Sequence, residues 1–304
     1  MTAIKIQSPA EFHETRRKFI GGSDAAAALG LSKWKTPYQL YLEKIGEAEP
    51  QEETWEMARG KALEPLLRQH YADTTGREVM LPPGALLSEK YPFIGYNPDG
   101  LTEDKRLVEF KTAAYGYGWG DEGSDEIPVE YGLQVQHGMI VTGLMVTDVT
   151  VSIAGNKPKY FVVEADKELQ EMIVEREHEF WHKNVLARIV PEPLTNEDVA
   201  MRYRQVNPAS IVITETILED LIQLNAVKEA IKRTEAEKEH HEVSIKSFMG
   251  ENDTLISSNG KVLATLKQVK GRETLDSAAI KIDHPDVCAK YIKIGEPTRR
   301  FLLK

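Results

Sequence analysis

Apolar positions recur along this chain with two periods, and the order in which the periods alternate outlines a fold. Residues 23–30 and 36–45 read as helices, and 54–73 as a longer one with Leu63, Leu66, Leu67 and His70 on or near one stripe. Pro65 falls inside that stretch, where it removes a backbone hydrogen bond and bends the axis. Shorter apolar runs then predict strands near 77–81, 92–97 and 106–112. Asn97-Pro98-Asp99-Gly100 is turn-prone, and the polar break Thr102-Glu103-Asp104-Lys105 would fold a strand over 92–101 back on 106–112. Residues 128–142 read as a helix, 146–154 and 159–164 as a strand pair around Gly155-Asn156, and 166–188 as a long amphipathic helix. The sum is a mixed α/β body.

Pro191, Pro193 and Pro208 punctuate the chain after this body and place a boundary in 191–210. The division expected is a domain over 1–192 and an extension over 193–304. In the extension Ile217, Leu221, Leu224 and Ile231 keep helical spacing before the surface turns almost wholly charged up to Glu242. That apolar seam is short for a coiled coil. Ser258-Asn259-Gly260-Lys261 marks a two-residue hairpin turn between Thr254–Ser257 and Val262–Lys267. A final basic strand is expected at Thr298-Arg299-Arg300-Phe301.

Composition narrows the function classes. The N-terminal MTAIKIQSPAEF lacks the apolar core of a signal peptide and no run approaches a membrane span, so the expectation is a cytoplasmic chain. Cys288 is the single cysteine, which leaves no intramolecular disulfide and no four-cysteine iron-sulfur cluster. The formal charge of −10 argues against DNA binding until the charges are located. Residues 1–46 hold seven Lys/Arg against four Asp/Glu, and residues 257–304 hold ten against five. Acidity concentrates in Glu47, Glu49, Glu52, Glu53 and Glu56 and in the helix beginning near Glu215, so both ends of the chain offer basic surface.

The chemistry concentrates in NPDGLTEDKRLVEFK. Glu109 and Lys111 lie two apart, so on a strand both side chains leave the same face. A hairpin centred near Asp104 pairs position 99 with position 109, with Cβ atoms about 5 Å apart, close enough to share an ion. Two carboxylate oxygens without nearby His or Cys suit Mg²⁺, with Mn²⁺ as a substitute, rather than Zn²⁺. The alternative is a solvated turn beside a ladder of opposite charges, since short motifs of this kind recur by chance.

Other segments join this stretch in a fixed order: Arg16-Arg17-Lys18-Phe19-Ile20-Gly21-Gly22-Ser23-Asp24, then Gly60-Lys61-Ala62-Leu63-Glu64-Pro65, then the Asp99 to Lys111 stretch, then Gln134-Val135-Gln136. In that order, over about residues 14–190, the chain resembles the YqaJ and bacteriophage lambda exonuclease family within the PD-(D/E)xK nucleases. The resemblance implies a restriction-endonuclease-like core, a central mixed sheet flanked by helices, with the C-terminal helix and β-hairpin appended. It implies that Asp99 and Glu109 are metal ligands, that the main-chain carbonyl of Phe110 adds a third, and that Glu64 faces the same metals from a helix. Lys111 would orient or help deprotonate the attacking water, and Gln134 would close the site from a second helix. Arg16 and Ser23, seven residues apart, resemble the pair that receives a 5′-phosphate. The implied activity is Mg²⁺-dependent 5′ to 3′ digestion of double-stranded DNA ends, leaving 3′ single strands for recombination. The implied partners are a single-strand annealing protein of the RecT or Beta type and further copies of the chain, a ring-shaped trimer among the forms suggested. A structure-specific endonuclease on the same fold, and a DNA-binding recombination accessory protein with a silent centre, stay open. The lambda enzyme has no counterpart to the last hundred or so residues.

Elsewhere, His178 and His182 stand four apart on a helix, but Glu175, Glu177 and Glu179 favour a solvated polar face over a metal site, and His240-His241 reads the same way. The loop holding Gly116, Gly118 and Gly120 with Tyr115, Tyr117 and Trp119 is read either as a stacking surface for unpaired bases or as a loop packed by its own rings. Gly21-Gly22 lacks the spacing of a P-loop and fits close backbone approach to a phosphate near Ser23.

Overall fold

The computed structural model describes residues 2–4, 9–48, 52–82, 84–205, 207–295 and 299–303. The chain forms two compact units, Met1–Arg204 and Gln205–Lys304.

The first unit is built on a five-stranded mixed sheet. Its members are β2 (Val79–Met80), β5 (Gly100–Thr102), β6 (Leu107–Ala113), β7 (Val146–Ile153) and β8 (Lys159–Glu164), hydrogen-bonded in that order. All neighbours are antiparallel except β6 and β7, which run parallel from Leu107 opposite Thr147 to Ala113 opposite Ile153. A parallel pair needs a crossover, and α5 (Val129–Thr142) supplies it. The helix α4 (Trp55–Thr75) lies against β6 and β7 as well, and alternate residues of β6 serve different helices. Val108 and Phe110 pack with Leu67 and Tyr71 of α4. Leu107 joins the larger core with Val135, Met139 and Val141 of α5 and with Val149, Val151, Phe161 and Val163. This is the mixed sheet flanked by helices expected from the sequence.

The stripe on α4 differs from the expected one. Leu67 and Tyr71 are buried while Leu66 is exposed, because the helix presents only a narrow line to the sheet. Thr54 caps its start by accepting from the Met57 amide, and Gly76 at φ 70° ends it in the left-handed conformation that glycine takes without steric cost.

The expected strand over 92–101 is divided between two sheets. Its first part is β4 (Gly95–Tyr96), which pairs with β3 (Ala85–Leu87), itself paired with β1 (Thr2–Ile4). Its second part is β5 in the large sheet. Asn97-Pro98-Asp99 makes the passage, because proline has no amide to donate to a ladder. Ile20 and Ile94 form a parallel bridge that ties β4 to the entry of α2 (Gly22–Ala28).

The long helix expected over 166–188 is α6 (Lys167–Glu179) followed by a π-helical turn over Phe180–Leu186. The wider turn lets the adjacent Phe180 and Trp181 and the later Val185 all enter the core. Glu177, expected on a solvated face, is buried against His137 of α5. The helices α1 (Pro9–Arg16), α3 (Pro37–Ile45) and α7 (Asn196–Arg202) complete this unit.

In the second unit, α8 (Glu215–Met249) is followed by the expected hairpin, β9 (Thr254–Ile256) and β10 (Val262–Thr265). Two short helices then follow, α9 (Ser277–Asp283) and α10 (Pro285–Tyr291). The expected basic strand is a correction, since residues 299–303 form none; Thr298 lies outside the described residues.

Candidate active site

The ladder between β5 and β6 sets Gly100 opposite Val108 and Leu101 opposite Leu107, so the same register carried one step places Asp99 opposite Glu109. Asp99 accepts a hydrogen bond from the Phe110 amide at 2.9 Å. Glu109 is only 1% exposed and is held by donors on three elements. The Tyr96 hydroxyl of β4 reaches its Oε1 at 2.9 Å, Lys111 Nζ reaches its Oε2 at 2.9 Å, and Gln134 Nε2 of α5 reaches both oxygens at 3.1 Å. Lys111 also donates to Gln134 Oε1 at 3.2 Å, and its Nζ lies 5.2 Å from the centre of the Tyr131 ring. Asp99, Glu109, Lys111 and Gln134 therefore converge. Phe110 enters by its amide. Glu64 accepts from Arg68, and its charge is felt at Asp99.

The electrostatics define what the cluster lacks. Burial and the neighbouring Glu109 push the Asp99 carboxyl up to about 8, outweighing the pull of Lys111 and the Phe110 amide. Burial works against charge on Lys111, but Glu109 and Asp99 outweigh it and hold the ammonium above its ordinary range. Burial and the same two carboxylates hold the Tyr96 hydroxyl well above its ordinary value, so it stays a donor. Asp99 and Glu109 share the one Lys111 ammonium, and the raised Asp99 carboxyl marks a place where a further positive charge would be stabilising. Among the described residues no group of three or more His, Cys, Asp or Glu side chains is arranged to hold a metal ion, so any ion here would rest on the Asp99 and Glu109 pair. Hard divalent cations are commonly held by one or two carboxylates with waters completing the shell, and the oxygen donors of Asp99 and Glu109 fit that class of ion.

Arg16 and Ser23 also meet, with Arg16 Nη2 donating to Ser23 Oγ at 2.8 Å. What holds them is Asp24, which was not among the expected residues. It accepts from Arg16 at 3.1 Å, from the Gly21 amide at 3.1 Å and from Lys44 Nζ at 2.7 Å, while Lys44 also donates to the Arg16 carbonyl at 2.8 Å. Burial opposes the charge on Asp24, yet Lys44, Arg16 and Lys35 together hold it far below the usual carboxylate range. The sequence did carry a signal here: Lys44 sits three and four residues after Tyr41 and Leu40, on the buried face of α3. Tyr96 left no comparable mark.

The rings of the aromatic loop differ in their surroundings. Trp119 packs on Phe161 at 5.1 Å and on Tyr131 at 5.7 Å, while Tyr115 and Tyr117 are exposed and stand 5.9 Å apart. His178 and His182 stack on each other at 3.9 Å and meet the edge of Phe93.

A model of the YqaJ-like viral recombinase domain matches residues 11–145. The chain is 34% identical over 302 residues to the uncharacterized protein YqaJ of Bacillus subtilis (strain 168), covering 95% of this chain and 92% of that one. Among solved structures, an alkaline exonuclease from Laribacter hongkongensis is 22% identical over 64% of this chain and 97% of its own, with a TM-score of 0.48. The same enzyme with dAMP gives 21% identity over 64% of this chain and 98% of its own, with a TM-score of 0.49. Likeness of that degree carries no inference about activity.

Proposed function

Since the chain belongs to the YqaJ-like viral recombinase family, we propose that it is a Mg²⁺-dependent deoxyribonuclease that digests double-stranded DNA ends 5′ to 3′ and leaves 3′ single strands for annealing. The observation that carries the reading is the convergence of Asp99, Glu109 and Lys111, where buried carboxylates outnumber the one ammonium. Asp99 and Glu109, with the Phe110 carbonyl and Glu64, would hold the cation, with Mn²⁺ able to substitute. When bound, such an ion polarises the scissile phosphate and lowers the pKa of a water. Lys111, kept protonated by its carboxylate neighbours, would orient the attacking water and offset charge on the phosphate. Gln134 fixes both Lys111 and Glu109 and so keeps the pair in register.

Digestion of a linear duplex beside its closed circular form, with Mg²⁺, tests the reading. Loss of the linear form alone supports an exonuclease, cutting of the circle points to an endonuclease, and no cleavage of either to a silent centre. Labelled 3′ ends that persist while 5′ ends disappear would fix the direction. The same reading makes an annealing protein of the RecT or Beta type and further copies of the chain the partners, a ring-shaped trimer among the forms suggested, and the cytoplasm the place of action.

Arg16 and Ser23 are proposed to receive the 5′-phosphate. A duplex with 5′-phosphates is then digested faster than one with 5′-hydroxyls, and Arg16→Ala erases the difference. Equal rates on both substrates with the wild type would remove this role. The basic residues of 257–304 are proposed to bind the duplex backbone. A chain ended after Arg204 should bind duplex more weakly, and each phosphate no longer neutralised should flatten the slope of log affinity against log salt by about 0.9. An unchanged slope with an altered subunit count, read by light scattering, would assign the unit to assembly instead.

A further inference from the structure

Tyr96 is walled in on two sides by the absence of side chains. A Cβ added to Gly138 of α5 would lie 2.5 Å from the ring, and one added to Gly22 of α2 would lie 2.6 Å from it. Both glycines are buried, so two helices give up a methyl group where this ring passes. Directly before Tyr96, the Gly95 carbonyl accepts from His137 Nε2 at 2.8 Å, and His137 is anchored through Nδ1 to Glu177 Oε1 at 2.7 Å. The phenol is thus fixed in position, and its one polar atom meets Glu109 Oε1.

We infer that Tyr96 is the positioning residue of the metal centre: its hydroxyl holds Glu109 Oε1 so that the carboxylate keeps one orientation when the ion binds. The inference rests on the metal-site reading above. It assigns the paired glycines a purpose, because a methyl at either position would push the ring and carry the hydroxyl away from Glu109. Partners one step behind a ligand commonly change metal affinity by about 10 to 100-fold when removed.

Tyr96→Phe isolates the hydroxyl, since phenylalanine keeps the ring between Gly22 and Gly138 and Glu109 keeps Gln134 and Lys111. Calorimetric titration with Mn²⁺ is run on the wild type, Glu109→Gln and Tyr96→Phe, together with melting curves without metal. The result expected is Mn²⁺ affinity lowered about tenfold in Tyr96→Phe with the metal-free melting temperature held, and cleavage restored towards the wild-type rate by excess Mn²⁺. Wild-type affinity in Tyr96→Phe overturns the inference while leaving the metal reading intact. So does a joint fall in affinity and metal-free stability, which would make Tyr96 a packing residue. If the wild type takes up no Mn²⁺, or Glu109→Gln takes it up equally well, the metal reading itself fails and this inference falls with it.

Discussion

Glu109→Gln should abolish metal-dependent cleavage, lowering turnover by about 10³-fold or more, while the fold stays intact. Glutamine keeps the volume and one acceptor oxygen, so Tyr96 and Gln134 retain a partner. It also removes the charge that, with burial, pushes the Asp99 carboxyl up to about 8. Lys111 loses its Glu109 partner, and Asp99, freed to ionise, takes over as its counter-charge, so the metal-free variant should melt close to the wild-type temperature. Added Mn²⁺ should separate the two proteins: a ligand at a hundred times its Kd stabilises by about 2.7 kcal/mol, and only the wild type should gain it. Lys111→Ala should show the opposite pattern, with Mn²⁺ affinity retained because an ammonium is no ligand, and turnover about 10²-fold lower. Cleavage by Glu109→Gln at a wild-type rate, or loss of Mn²⁺ binding in Lys111→Ala alone, would reverse the assigned roles.

The second large effect concerns stability. Asp24→Asn should destabilise the first unit by about 3 to 5 kcal/mol, because it leaves the Lys44 ammonium buried without its counter-charge. At this size that is a fall in Tm of roughly 10 °C. The pH dependence has a definite sign. The folded-state pKa of Asp24 is depressed, so its contribution is present above the unfolded value of about 4 and is lost as pH falls below it. Wild-type stability should decline on acidification below about pH 4, and the Asn variant should lack that part of the decline. Lys44→Met added to Asp24→Asn should recover much of the loss, since neither partner then remains unpaired. Melting curves against pH decide the matter, and an Asp24→Asn variant that melts with the wild type would show the pair to contribute nothing. The substitution also takes the Asp24 charge from beside Arg16, so any preference for 5′-phosphates should weaken with it.

What the sequence made legible is what local pattern encodes. β6, β7 and β8 were readable because buried apolar runs are bounded by clear turns, and Glu109 and Lys111 because a spacing of two fixes a shared face on any strand. The register of Asp99 against Glu109 followed from the polar break alone. The strands β1 and β3 were not readable, since three residues give too short a period to distinguish from loop. Glu177 was misplaced because its partner His137 lies forty residues away, and a burial forced by a distant partner leaves no local mark. Tyr96 was hidden for the same reason, its neighbours Gly22 and Gly138 belonging to two separate helices. Asp99, Glu109 and Lys111 were thus nameable from local pattern and Gln134 through the family resemblance, while Tyr96, which also holds Glu109, was not.

The division of residues 92–101 between two sheets makes the centre an expansion joint. Tyr96 ends a strand of the small sheet, Glu109 belongs to the large one, and Asp99 lies on the short passage between them. On the proposed reading, a relative slip of about 1 Å between the two sheets would cost about 10²-fold in rate without either sheet melting. On the proposed nuclease reading, cleavage should then fall off at a lower temperature than the melting transition, which rate and melting curves measured side by side would show.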